Sequence, residues 1–192
     1  MAVVALSNLI PPVSLEEVKA HLRIDGLDDV EILQGLIVAA CQWFEMQTNT
    51  TLCTRQYRLT LDGFPSGREI RLPKPPAASV ESIQYVDPQG EQKLLNPSTY
   101  AVDTFAKPGR IVLQPGDCWP ATSGAAGCVE VDYTAGYGSP DAIPQLIYQG
   151  LLLQIGGWFE CREAVTDRRY EALPTSIAVE SIVQMHAFPE AV

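Results

Sequence analysis

Apolar residues recur every three or four positions at both ends of the chain and alternate with polar ones through its middle. In "SLEEVKAHLRI" Leu15, Val18 and Leu22 share one helical face, and Ser14 stands three residues before Glu17, the spacing of a capping box. Asp28 and Glu31 open a second helix in a similar way. Along it Ile32, Leu33, Leu36, Ile37, Ala40 and Phe44 form one apolar stripe to about Thr48, opposite Gln34, Gln42, Glu45 and Asn49. From Thr54 the period falls to two. "RQYRLTLD", "REIRL", "SVESIQYVD", "QKLL", "TYAVD", "GRIVLQ" and "CVEVDYT" predict strands, separated by Pro- and Gly-bearing turns.

After Gly138 the pattern is helical again. Ile143 precedes a proline and is biased extended, which places the first helical turn at Pro144. Ile147, Leu151, Leu152, Ile155, Trp158 and Phe159, widened by Leu153, predict a helix that is dry on most of its circumference. Its partner is expected to be the second helix, with Leu36, Ile37, Phe44, Leu151, Ile155 and Trp158 in one core. Gly156-Gly157 marks a close approach to a neighbouring helix or, second, a kink. "LPTSIAVESIVQMHAF" is a weaker terminal helix. The predicted fold is α+β in a single 192-residue protomer. Residues 1–53 and 139–192 form a helical body and C-terminal tail, and residues 54–138 form a β-rich insertion.

Composition narrows the function. The 46% hydrophobic content supports a cored domain, and the net charge of −10 is spread along the chain. A surface of that sign is a poor partner for a phosphate backbone, so sequence-specific nucleic-acid binding is not expected. Five cysteines, an odd number with no C-x-x-C, read as buried free thiols. The N-terminus lacks the basic region of a signal peptide, and the most apolar run, residues 146–159, is too short for a bilayer span. A cytoplasmic product with no membrane role is expected.

Candidate chemistry is sparse. "AGYGSPDAIP" has two glycines before a helix but no lysine, and Asp141 stands where a phosphate would sit, so it reads as a corner and not a nucleotide cradle. His21 and His186 belong to no metal spacing, and no serine sits in a G-x-S-x-G elbow. Cys118 has no His or basic neighbour to activate its thiol and reads as part of a loop. No catalytic residue, cofactor or metal site is expected. Arg162, Arg168 and Arg169 form a cationic cluster, suited either to a helix C-terminus or to an acidic partner.

Taken in order, "SLEEVKAHLRID", "DDVEILQGLIVAACQWFEMQTNTTL", "RLPKPPAASVESIQYVDPQGEQKLLNPSTYAVD", "PGRIVLQPGDCWP" and "VEVDYTAGYGSPDAIPQLIYQGLLLQIGGWFECREAV" resemble the head–tail connector, or head-completion adaptor, proteins of tailed phages. The resemblance covers roughly residues 13–165 and is nearest to the larger subfamily with a β-rich insertion. It departs at Gly156-Gly157-Trp158 and in the final residues.

The resemblance implies a structural, non-enzymatic protein of a phage or phage-like particle: a ring, typically of twelve copies, beneath the portal. Such a ring extends the DNA channel and docks the stopper or another neck protein; it resides in the virion neck after assembly in the host cytoplasm. Its implied partners are the portal protein, neighbouring copies and the next neck or tail protein, with DNA passing through unread. The alternative is a small phage-encoded hydrolase or ligand-binding domain. The acidic balance suits a channel wall that repels phosphate, with Asp62, Asp87, Glu91, Asp103 and Asp117 as channel-facing candidates. Beyond Pro174 the tail carries more apolar residues than a free end exposes. Arg168, Arg169, Ile177, Ile182, Val183 and Phe188 are therefore portal-docking candidates, unless the segment folds back on its own helices.

Overall fold

The computed structural model describes residues 1–26, 29–160 and 177–188. Its elements are β1 (Ala2–Ala5), α1 (Leu15–Leu22), α2 (Val30–Thr48), β2 (Arg55–Leu61), β3 (Glu69–Arg71), β4 (Ala77–Val86), β5 (Gln92–Leu94), β6 (Tyr100–Asp103), β7 (Arg110–Leu113), β8 (Val129–Ala135), α3 (Gln145–Glu160) and α4 (Ile177–His186). The α+β class expected from the sequence is the class observed. The chain forms two units. One comprises Met1–Asn8 and Thr54–Tyr137 with Phe188, and the other Leu9–Cys53 and Gly138–Ala187.

In the helical unit α1 starts where its cap dictates. The Glu17 N–H donates to the Ser14 hydroxyl at 3.3 Å, and the Ser14 N–H donates to the Glu17 carboxylate at 2.7 Å, so two donors at the helix start are satisfied reciprocally. Arg23 ends the helix in the left-handed conformation at φ 57°. The stripe of α2 buries Leu33, Ile37, Ala40, Cys41 and Phe44, and α2 packs on α3, which buries Ile147, Leu151, Leu152 and Ile155. Trp43 and Trp158 meet edge-to-face at the flank of this pair, with ring centroids 6.1 Å apart. Of the six residues expected to share this core, Ile37, Phe44, Leu151 and Ile155 are fully inside, while Leu36 and Trp158 are half-buried.

Two details differ from the sequence reading. Glu45, placed on the wet face of α2, is buried, and its Oε1 accepts the Leu52 N–H at 2.9 Å. Thr48, Thr50 and Thr51 after it are also dry: Thr48 donates to the Phe44 carbonyl and shares a 2.7 Å hydroxyl contact with Thr50. A buried backbone N–H needs a partner, and these side chains supply the corner with its own. The second detail is the glycine pair. A Cβ on Gly156 would sit in ordinary contact with Leu22, and one on Gly157 would meet nothing. The tighter approach is at Gly150, where a Cβ would lie 3.3 Å from Ile182 of α4. The helix runs unbroken through the pair.

The other unit holds two antiparallel sheets, ordered β1-β2-β8-β4-β5 and β3-β7-β6. Residues 2–5, assigned from the sequence to the helical body, instead add an edge strand against β2, in register Ala2 with Thr60 through Ala5 with Tyr57. The central pair β2–β8 aligns Tyr57 with Tyr133 and Leu59 with Val131 on the dry face. Arg58 and Asp132 lie on the wet face, where the guanidinium grips the carboxylate with bonds of 2.7 and 2.8 Å. The two tyrosine rings stack at 5.7 Å, and the Tyr133 hydroxyl donates to the Pro73 carbonyl at 2.9 Å. Ile70, Leu72 and Ile111 from the small sheet and its flank close over the same core.

Leu151 is fully buried between the helices. Leu151→Ala is expected to cost about 2–5 kcal/mol in denaturant melts; a loss under ~0.5 kcal/mol, typical of a surface site, would remove it from the core.

Candidate functional site

The glycine corner that most resembled a ligand loop is structural. Gly136 and Gly138 take φ of 123° and 122°, and the Gly136 N–H donates to the Pro76 carbonyl at 2.8 Å, so it is engaged by the chain itself. The corner leads into a three-residue 3₁₀ turn, Pro140–Ala142, and then α3. Among the described residues no group of three or more His, Cys, Asp or Glu side chains is placed to hold a metal ion. The His186 ring sits 2.9 Å from the Ile182 carbonyl one turn earlier. Cys41, Cys53 and Cys128 are buried and in no disulfide, and Cys118 is exposed. Beside Cys118, Trp119 stacks flat on Phe64 at 4.8 Å and donates to the Gly67 carbonyl. That tryptophan is a packing element. No helix of the described residues is long and apolar enough to cross a membrane.

The five acids proposed for a channel wall have different environments. Asp87 is only 4% exposed and ion-paired with Lys93. Its Oδ1 also accepts the Gln89 and Glu91 N–H groups, each at 2.9 Å. The hydrogen bond from Lys93 holds its carboxyl below the usual range. Asp87 is therefore the keystone of the β4–β5 hairpin and not a wall charge. Asp103 accepts from Arg110 at 3.0 Å and from the Phe105 and Ala106 N–H groups, and Arg110 chiefly holds its pKa down. Its charge is internally neutralised. Asp62 accepts the Gly127 N–H at 2.8 Å yet remains exposed, and Glu91 and Asp117 are exposed.

The docking candidates divide similarly. In α4, Ile182 is 5% exposed and Val179 is also buried; α4 packs on α2 and α3. The tail helix thus folds back on its own unit, and Ile182 belongs to that core, not to a free surface. Ile177 is 80% exposed, Met185 is exposed, and Val183 and Phe188 are partly covered. Arg168 and Arg169 lie outside the described residues.

Two surface features were missed in the sequence. A cleft of about 630 Å³ lies among Pro11, Pro12, Glu17, Pro140, Asp141 and Tyr148. Its floor is tied by the Tyr148 hydroxyl, which donates to the Glu17 carboxylate. The other is Phe105, 95% exposed at the tip of the β6–β7 hairpin. The signal for it was present: one aromatic between Asp103-Thr104 and Lys107-Pro108-Gly109 sits in a turn with no apolar alternation to bury it.

Residues 12–86 match the family model described as phage gp6-like head–tail connector protein, and the resemblance to tailed-phage connectors is borne out. The matched stretch holds α1, α2 and the strands β2 to β4. Three solved structures share the fold across 100% of this chain and 98% of theirs. One is described as "Neck of empty GTA particle computed with C6 symmetry", at TM-score 0.79 and 24% identity. A second is "Virion of native gene transfer agent (GTA) particle", at 0.78 and 23%. The third is "Neck of native GTA particle computed with C12 symmetry", at 0.73 and 23%. No curated protein matches the chain. Neither the family description nor these three descriptions names an enzyme.

Partial burial and the bond to Glu17 push the Tyr148 hydroxyl from 10.0 up to about 12. A pKa raised by folding stabilises the fold below the unfolded value; that contribution fades as pH rises from 10 through about 12. A near-ultraviolet titration of wild type minus Tyr148→Phe is expected to show one tyrosine ionising near 12. A midpoint at the ordinary 10 would reject the contact.

Proposed function

We propose that this chain is a structural neck protein of a tailed phage or phage-like particle, an adaptor whose copies form a ring beneath the portal. The observation that carries the reading is a fold shared over the whole chain with proteins of particle necks, joined to a connector-family match over residues 12–86. A ring of twelve is favoured by the C12 symmetry named for one of those necks.

In this reading the ring continues the DNA channel, and its second face receives the stopper or other next neck protein. DNA is a passenger: the −10 net charge disfavours adhesion to phosphate. Asp62, Glu91 and Asp117, exposed, remain the candidates for the bore, whereas Asp87 and Asp103 hold local structure. Portal docking falls to the outer side of α4, where Ile177 and Met185 are exposed beside the partly covered Val183. Arg168 and Arg169 can steer the approach if the portal rim is acidic. Many weak tails on one symmetric portal raise each other's effective concentration, so modest single contacts suffice.

Native mass spectrometry of the chain mixed with its portal is expected to show a portal bearing a full ring. A monomer under all mixing conditions would overturn the adaptor role. The double variant Ile177→Asp with Met185→Asp is expected to stay folded by circular dichroism and to lose at least about tenfold in portal affinity, as removal of a central apolar contact does. Unchanged affinity would reject α4 as the docking surface.

A further inference from the structure

Two Asp–Gly pairs stand in the chain, Asp25-Gly26 and Asp62-Gly63. The pairing carries its own chemistry. A glycine has no Cβ to shield its backbone nitrogen and turns freely about φ, so that nitrogen can reach the side-chain carboxyl carbon of the aspartate before it. How firmly the fold holds each pair decides which of them reacts.

Asp62 is held. Its Oδ1 accepts the Gly127 N–H at 2.8 Å, and its backbone carbonyl accepts from the Cys128 thiol at 3.2 Å. Cys128 is buried and β8 begins at Val129, so both tethers lead into a core strand. Swinging the carboxyl over the Gly63 nitrogen breaks the first of them. Asp25 has no such hold. It lies exposed just beyond α1, where the Arg23 and Ile24 N–H groups have turned back to the Ala20 and Lys19 carbonyls. Among the described residues its carboxylate meets no hydrogen-bond donor or cation, and the Gly26 N–H has no acceptor. The Gly26 carbonyl accepts the Lys19 ammonium at 2.9 Å, which keeps the pair beside the helix end.

We propose that Asp25-Gly26 is a site of spontaneous covalent modification, the conversion of Asp25 to isoaspartate, and that the fold protects Asp62-Gly63 from the same reaction. The Gly26 nitrogen attacks Cγ of the Asp25 carboxylic acid. The new N–Cγ bond closes a succinimide ring, and the amide hydrogen leaves with the acid hydroxyl as water. Water then reopens the ring. Addition at Cγ restores aspartate, whereas addition at the Asp25 backbone carbonyl breaks its bond to the Gly26 nitrogen and leaves the chain running through the side chain. Neither a redox partner nor an enzyme is required, and the product has the mass of the parent. It carries one extra backbone carbon between α1 and Gly26, which moves the Gly26 carbonyl away from Lys19. The reaction belongs to the isolated chain and does not rest on the neck reading.

The test holds the full folded chain in neutral buffer at physiological temperature and samples it over weeks. Peptide mapping with fragmentation that separates isoaspartate from aspartate reads each site, and methyl labelling by an isoaspartate-specific methyltransferase counts the product independently. Isoaspartate is expected to form at position 25 at least about fivefold faster than at position 62, the factor that one retained hydrogen bond supports. In guanidinium both sites lose the protection of the fold and should react at comparable rates. Gly26→Ala, checked for folding by circular dichroism, shields the nitrogen with a Cβ and is expected to slow Asp25 while leaving Asp62 unchanged. Native Asp62 reacting as fast as Asp25 would overturn the proposal. So would a folded chain with no isoaspartate at position 25 over a period in which the unfolded chain forms it, or a Gly26→Ala chain modified at the wild-type rate.

Discussion

The dry seam between α2 and α3 is the interaction on which the remainder depends. The chain leaves the helical unit at Cys53 and returns at Gly138, so the seam closes a loop containing almost the whole β-rich segment. Closing a loop of that size costs only a few kcal/mol more than closing a short one, because the entropy grows with the logarithm of length. Side chains such as Phe44, Leu151 and Ile155, all fully buried, each contribute about 1.5–3 kcal/mol by leaving water. Burial of this kind can carry the insertion. It also gives α4 a surface to fold against, with Ile182 seated on Gly150.

Once the seam is fixed, several polar groups turn out to satisfy backbone, two of the channel-facing candidates, Asp87 and Asp103, among them. Glu45 serves the Leu52 N–H, Asp87 the β4–β5 turn, Asp103 the β6–β7 turn, and Tyr133 the Pro73 carbonyl. A polar group taken out of water without a partner costs about 1–3 kcal/mol, so a β-rich unit full of turns needs such side chains at its corners. These four are dispersed along the chain, each serving its own turn, an arrangement suited to a stiff part.

What could be read from the sequence follows from this division. The long helices and all seven interior strands were legible because period and punctuation act locally: the Ser14–Glu17 box and the Val129–Val131–Tyr133 alternation need no tertiary knowledge. β1 was missed because "AVVA" is too short to alternate visibly and becomes a strand only through pairing with β2. The burial of Glu45 was missed because a carboxylate at the end of an amphipathic helix looks solvated until the next turn folds over it. Asp87 and Ile182 were assigned to surfaces for a related reason. Charge and hydropathy report what a side chain tolerates, whereas its partner, Lys93 in one case and Gly150 in the other, lies elsewhere in the fold.

If copies assemble as proposed, the protomer faces opposed demands. It has to remain soluble alone, which the acidic surface and the internally packed Val179 and Ile182 favour. It also has to keep adhesive groups ready. Holding adhesion in a few rigid apolar points meets both demands, because one exposed aromatic adds little aggregating area whereas a broad apolar patch adds much. The net negative charge works in the same direction. Repulsion between free copies disfavours chance contacts, and salt at physiological strength confines it to separations of roughly 8 Å.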